Sequence, residues 1–152
     1  MKKIAVWVII CCCYAGNLRA QSQNKMGWIW GPSIGWQYQN GNFLKASGWG
    51  LFAPNEYQYM KINAGANFTW MQGKTTVIPE VGFTYYLRNS MLFPFVQAEV
   101  TPHTLTPKVG VGILSIVDLG IGYGFDINTK TKFKPLNGIT GSLTLNIPLN
   151  FY

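Results

Sequence analysis

The residues able to do chemistry are few. The 152-residue chain holds one histidine, His103, in Thr101-Pro102-His103-Thr104. Hydroxyl nucleophiles need a histidine within reach and a carboxylate to orient it. Glu99 is close in sequence, but position 105 is Leu, so no His-x-Ser pair exists. A solvated loop histidine is the simpler account. Cys11, Cys12 and Cys13 all lie in an N-terminal segment expected to be removed, so no disulfide framework and no thiolate metal site is expected. No phosphate-binding loop is present. The expectation is no catalytic, cofactor-binding or metal-binding residue, no cofactor, and no enzyme.

Seven of the charged residues share a setting. Lys61, Glu80, Arg88, Glu99, Lys108, Asp118 and Asp126 each fall on the small-residue face of a segment that alternates with period two, the mark of a strand with unlike faces. From Ile139 to Tyr152, apolar Ile139, Leu143, Leu145, Ile147, Leu149 and Phe151 alternate with polar Thr140, Ser142, Thr144, Asn146 and Asn150. Residues 77–88, 59–70 and 118–127 alternate as cleanly. Weaker segments cover about 26–39, 43–53, 91–101 and 108–113, and the second of these has apolar residues on both faces. Turns are expected at 40–42, 54–56, 71–75, 88–90, 102–107, 114–117 and 128–138. Eight strands result, many near the 9–11 residues that cross a bilayer when tilted.

Alternation alone also fits a soluble barrel with its apolar face inward, and three arguments favour the inverse. An eight-stranded barrel has an interior just wide enough for side chains to fill. Trp28, Trp30, Trp36, Tyr38, Phe68, Trp70, Phe83, Tyr85, Tyr123, Phe125 and Phe151 would overfill it, whereas the opposite faces are mostly Gly, Ser, Thr and Asn. Those faces carry charges of both signs, which a closed lumen can pair. The aromatics also gather at strand ends, where the two membrane–water interfaces would lie. Composition agrees: charged residues are 11%, against roughly 25% in soluble domains, too few to coat one. Pro32, Pro79, Pro94 and Pro148 fit less well, since a closed barrel offers no edge for a missing donor. A bulge or a shortened first strand is expected at Pro32.

The N-terminus reads as a signal peptide over residues 1–20, with the barrel over 21–152. Lys2 and Lys3 precede an apolar run from Ile4 to Tyr14, and Leu18-Arg19-Ala20 offers a cleavage site. The run is shorter than the roughly 20 residues of a membrane helix. Nothing after Ala20 continues a helical pattern, which argues against a buried N-terminal helix. Cleavage would remove every cysteine. Lipidation of one would want small residues before it, and Ile9-Ile10 are bulky. Without Lys2, Lys3 and Arg19 the net charge falls from +7 to +4, with cations spread along the chain, so nucleic-acid binding is not expected.

The architecture resembles the small eight-stranded outer-membrane barrels of bacteria, the class that includes the OmpA-type membrane domain. The likeness covers nearly all of residues 21–152. Asn150-Phe151-Tyr152 looks like their aromatic C-terminal signal, with one residue to spare. Gly120-Ile121-Gly122-Tyr123-Gly124-Phe125 is similar to small barrels of Bacteroidota. The resemblance implies an all-β, antiparallel, up-and-down transmembrane barrel in the outer membrane, reached through the general secretory route. It would have its N-terminus on the periplasmic side and outer loops near 40–42, 71–75, 102–107 and 128–138. Longer outer loops are the usual asymmetry; here the last two qualify and the first does not. Outer-membrane lipids and lipopolysaccharide are the expected partners, with Lys130, Lys132 and Lys134 either meeting anionic sugar-phosphates or simply keeping a loop solvated. A porin is disfavoured, because open channels take 16 or more strands. The expected role is structural or surface-interacting. The alternative is an accessory subunit of a larger outer-membrane secretion, transport or assembly machine, favoured by short loops and by outward Ala64 and Ala66. Some small barrels modify lipid A, but His103 alone is a poor basis for that chemistry.

Overall fold

The computed structural model describes residues 28–55, 58–70, 73–87, 91–114, 116–128 and 136–150. The signal-peptide region, Met26, Arg88, the 130–134 lysines, Phe151 and Tyr152 lie outside them.

Eight strands form one closed antiparallel barrel, each pairing with its sequence neighbours and β8 closing on β1. They are β1 (Ile29–Gln39), β2 (Asn42–Asn55), β3 (Gln58–Thr69), β4 (Thr76–Tyr86), β5 (Leu92–Val100), β6 (Thr104–Ile113), β7 (Val117–Asp126) and β8 (Gly138–Asn146). A path along paired residues leaves β1 at Ile29 and crosses Leu51, Lys61, Thr84, Gln97, Lys108, Gly122 and Thr140. It returns to β1 at Gln39, ten residues further on. With strands about 4.8 Å apart and a rise of about 3.3 Å per residue, that stagger tilts the strands by about 40°.

Alternation settles the faces. Along β1, residues are buried and exposed in strict turn from Gly31 to Gln39. Trp30, Trp36, Tyr38, Val81, Phe83, Leu105, Val109, Leu119, Ile121, Phe125 and Leu143 are exposed, whereas Lys45, Lys61, Glu80, Glu99, Lys108 and Asp118 are buried. The sheet is therefore apolar outside and charged inside, inverting a soluble barrel.

Two expectations about the ends are corrected. β6 begins at Thr104, not Lys108, so the β5–β6 connection is only residues 101–103. Thr101 makes it tight, because side-chain hydroxyls can close a turn on the backbone that follows. Its Oγ1 accepts the N–H groups of His103 at 3.2 Å and Thr104 at 2.9 Å. Of the connections at that end, only β7–β8 is long. At Pro32 there is no bulge, and pairing with β2 runs unbroken through Pro32 and Gly48. The register shift of β2 lies instead between Phe52 and Asn55, against β3.

The prolines sit where a donor has nothing to reach. Pro32 O accepts Ile147 N–H, so its donor side faces β8, and the regular β1–β8 ladder begins only at Ser33. Leu87 N–H donates to Pro94 O across β4–β5. By strand alternation Pro79 turns its donor side the same way. β5 pairs with β4 only from Val81 onward, so Pro79 lies on a short uncovered edge. Pro107 sits where β6–β7 pairing is interrupted. The stagger of a closed barrel thus leaves short edges, and proline occupies them.

Glycine makes close approach possible at Gly65, where a Cβ would overlap the Ala46 carbonyl oxygen and the Ser47 Cβ. At outward-facing Gly48 a Cβ would meet nothing within 4 Å. Gly65→Ala is expected to destabilise the barrel by about 1–3 kcal/mol and Gly48→Ala by less than about 0.5 kcal/mol. Urea titration of the two variants beside the wild type measures the difference; equal midpoints would contradict it.

Candidate functional site

The buried charges meet in two groups inside the barrel. In the first, Glu99 on β5 takes Lys45 Nζ from β2 at 2.5 Å on Oε1 and Lys108 Nζ from β6 at 2.5 Å on Oε2. Lys45 also pairs with Glu80 of β4 at 2.7 Å. Gln37 of β1 accepts both ammonium groups on Oε1, at 3.1 Å from Lys45 and 2.7 Å from Lys108. Gln97 donates to Glu99 at 3.1 Å and Asn67 to Glu80 at 2.6 Å. Two ammoniums and two carboxylates balance, and each carboxylate has hydrogen bonds beyond its ion pair, as buried charges require.

The second group joins Lys61 of β3 to Asp118 of β7. Asn146 Nδ2 donates to Asp118 at 2.8 Å, and Tyr86 OH lies 3.2 Å from both carboxylate oxygens. The Lys61 ammonium stands 5.8 Å from the Tyr86 ring centre. This group too is neutral.

Apolar clusters flank the polar middle. Towards the β2–β3 and β4–β5 ends, Trp49, Leu51, Tyr86 and Phe95 pack together, with Tyr86 and Phe95 edge-to-face at 5.8 Å. At the opposite mouth Leu136, from the end of the β7–β8 connection, packs on Phe43 and Ile78. Polar contacts hold it there. Gln39 Nε2 donates to Leu136 O at 2.6 Å, Asp126 Oδ1 accepts Leu136 N–H at 3.2 Å, and Asn40 Nδ2 donates to Asn137 O at 2.5 Å. Among the described residues, a cavity under Leu136 and another lined by both charge groups measure about 10 Å³ each, room for a single water.

Sequence reasoning places Lys61, Glu80, Glu99, Lys108 and Asp118 inward, and they are brought together there. Asp126 sits half-buried at the rim. Lys45 escapes that reasoning: β2 has apolar residues on both faces, so its inward side could not be assigned. Phe43, Trp49 and Leu51 explain the ambiguity, since all three are buried inside. The parity of Lys45 with Phe43 and Trp49 is the signal that could have found it.

His103 lies in the β5–β6 turn, where its carbonyl accepts Ile127 N–H at 2.8 Å. Glu99, its neighbour in sequence, has both oxygens engaged by Lys45, Lys108 and Gln97. Among the described residues, no three His, Cys, Asp or Glu converge as metal ligands would. No family model matches the chain, and no curated protein or solved structure matches it.

Removing one member of a buried pair strands the other. Lys61→Met is expected to cost about 3–5 kcal/mol, and adding Asp118→Asn to recover most of that loss. Unfolding titrations of both variants check the cycle; equal stability of the single and double variants would break the assignment.

Proposed function

We propose that this chain is a small bacterial outer-membrane β-barrel with a structural or surface-interaction role and a lumen filled by side chains. One observation carries the reading: the closed wall turns its large apolar residues outward and its charges inward. In water that arrangement exposes the wrong face. A bilayer suits it, because a closed sheet pairs most of its backbone groups within the wall. Dimensions support it. β6 and β7 are ten residues long. A strand of that length, tilted by about 40°, rises about 25 Å along the barrel axis, the height of the apolar band in outer-membrane barrels. Trp36, Tyr38, Trp70, Tyr123 and Phe125 lie toward one rim and Trp28 and Trp30 toward the other, as aromatic girdles do.

On this reading, residues 1–20 direct export through the general secretory route and are removed. Outer-membrane lipids surround the wall, and lipopolysaccharide meets the rim bearing the β7–β8 connection. The neutral, filled lumen supports a non-enzymatic, non-porin role. The accessory-subunit alternative has an observation of its own. Pro32, Gly48 and Ala64 are paired neighbours on the outer face, and with Trp28, Trp30 and Ile62 they line an apolar hollow of about 590 Å³. Small residues permit close packing in lipid. Extraction in mild detergent separates the two roles: a lone barrel supports the first, a stable complex the second.

The folded chain is expected in the outer-membrane fraction and to change its gel migration on boiling. Recovery in the soluble fraction, with identical migration before and after heating, would refute the membrane reading. His103→Ala is expected to leave the acylation of lipid A unchanged by mass spectrometry; an altered acyl pattern would restore an enzymatic reading.

A further inference from the structure

The two charge groups inside the barrel are separate in their direct contacts, yet both face the same small cavity. Its lining includes Lys45, Glu99 and Gln97 from the first group, Lys61, Asp118 and Asn146 from the second, and Asn63. Asn63 is buried, and its Oδ1 has no hydrogen-bond partner among the described residues. An acceptor so placed costs stability unless something donates to it.

Counting donors identifies what can. An ammonium group has three. Lys45 uses all of its own on Glu80, Glu99 and Gln37. Lys61 uses two, on Asp118 and on Asn146 at 3.5 Å, which leaves one N–H. A spare donor and an orphan acceptor line the same cavity, and no protein group joins them. The space, about 10 Å³, fits one water and no larger molecule. A metal cation would face two ammonium groups there. An anion would face Glu99 and Asp118.

We propose that one fixed water molecule occupies this cavity, accepting an N–H from Lys61 and donating to Asn63 Oδ1 and to Glu99. It satisfies the buried acceptor and joins the charge groups into a single hydrogen-bonded array. That array runs from Leu136 O at one mouth through Gln39, Gln37, the Lys45–Glu99–Lys108 group and the water to Lys61, Asp118 and Asn146. Asn63 is the anchor of the site, because among the described residues its Oδ1 is the lining atom buried without a protein partner.

Water–protein Overhauser spectroscopy on the folded, isotope-labelled chain tests this, in detergent micelles or, if the chain stays soluble without them, in buffer. A cross-peak between water and the Asn63 side-chain amide is expected, with the sign of a water residing longer than molecular tumbling. Lys61→Met combined with Asp118→Asn removes the donor in a neutral pair and keeps the Asn63 amide as reporter; it is expected to weaken the cross-peak at least severalfold while the amide spectrum stays dispersed. Absence of the cross-peak in the wild type overturns the proposal. So does its undiminished persistence in the double variant, or a chloride- or sodium-dependent shift at Asn63, which would mark an ion instead. Solubility without detergent would overturn the membrane reading and leave this site standing.

Discussion

A carboxylate sealed inside a sheet that closes on itself must find its cations on other strands. Glu99 does so twice, taking Lys108 from adjacent β6 and Lys45 from β2 across the lumen. Lys45 then reaches β4 through Glu80, and Gln37 brings in β1. Five strands are tied at one level by groups that cannot be left unpaired away from bulk water. The tie specifies register. A one-residue slip of any of these strands would turn its polar member outward and its apolar neighbours inward. The same demand explains the neutrality of each group, since a surplus charge would have no bulk water to face.

Volume is the second constraint, and it is met locally. A lumen this narrow is expected to exclude aromatics, yet Phe43, Trp49, Tyr86 and Phe95 are buried inside it. Glycines on β6 make the space. A Cβ on Gly110 would stand 2.6 Å from Phe95 Cζ, and one on Gly112 would stand 3.1 Å from Tyr86 Cε1. The inward glycines of β6 therefore have a packing cause: they line the wall that the β4 and β5 rings lean against. Large and small residues are matched across the lumen at these positions.

How far the fold was legible follows from the same two constraints. Where a strand puts polar residues inward and large apolar ones outward, as β4, β7 and β8 do, period two separates the two faces, and the bulk of the apolar side chains decides which one looks out. β2 defeats that reading because its inward side carries Phe43, Trp49 and Leu51 beside Lys45, and a lumen that mixes rings with charges has no single polarity. The partners of Glu99 are equally out of reach. Lys45 and Glu99 are 54 residues apart, and only the barrel's stagger brings them within 2.5 Å. The start of β6 is hidden for a backbone reason: Pro102 and Pro107 bracket a segment that looks like a loop, whereas Pro107 fits within a strand whose pairing to β7 lapses at that point.

The sealed interior also bears on where activity could reside. Among the described residues, the charges inside the lumen are neutralised against one another and the cavities beside them are no larger than a water. On the membrane reading, whatever the chain does falls to its rims or its wall. The wall is not uniform. Across β6, β7 and β8 the outward positions are mainly large, as with Leu105, Val109, Val111, Leu119, Ile121, Tyr123 and Leu143, whereas β1 to β3 set Pro32, Ala46, Gly48, Ala64 and Ala66 among Trp30, Ile34, Trp36 and Ile62. Acyl chains conform to either surface and impose no such division. A partner with a fixed shape does, because it gains dispersion contact only where the barrel backbone can be approached closely. The small-residue patch on β1–β3 is thus the feature from which the proposed accessory-subunit reading draws its physical content.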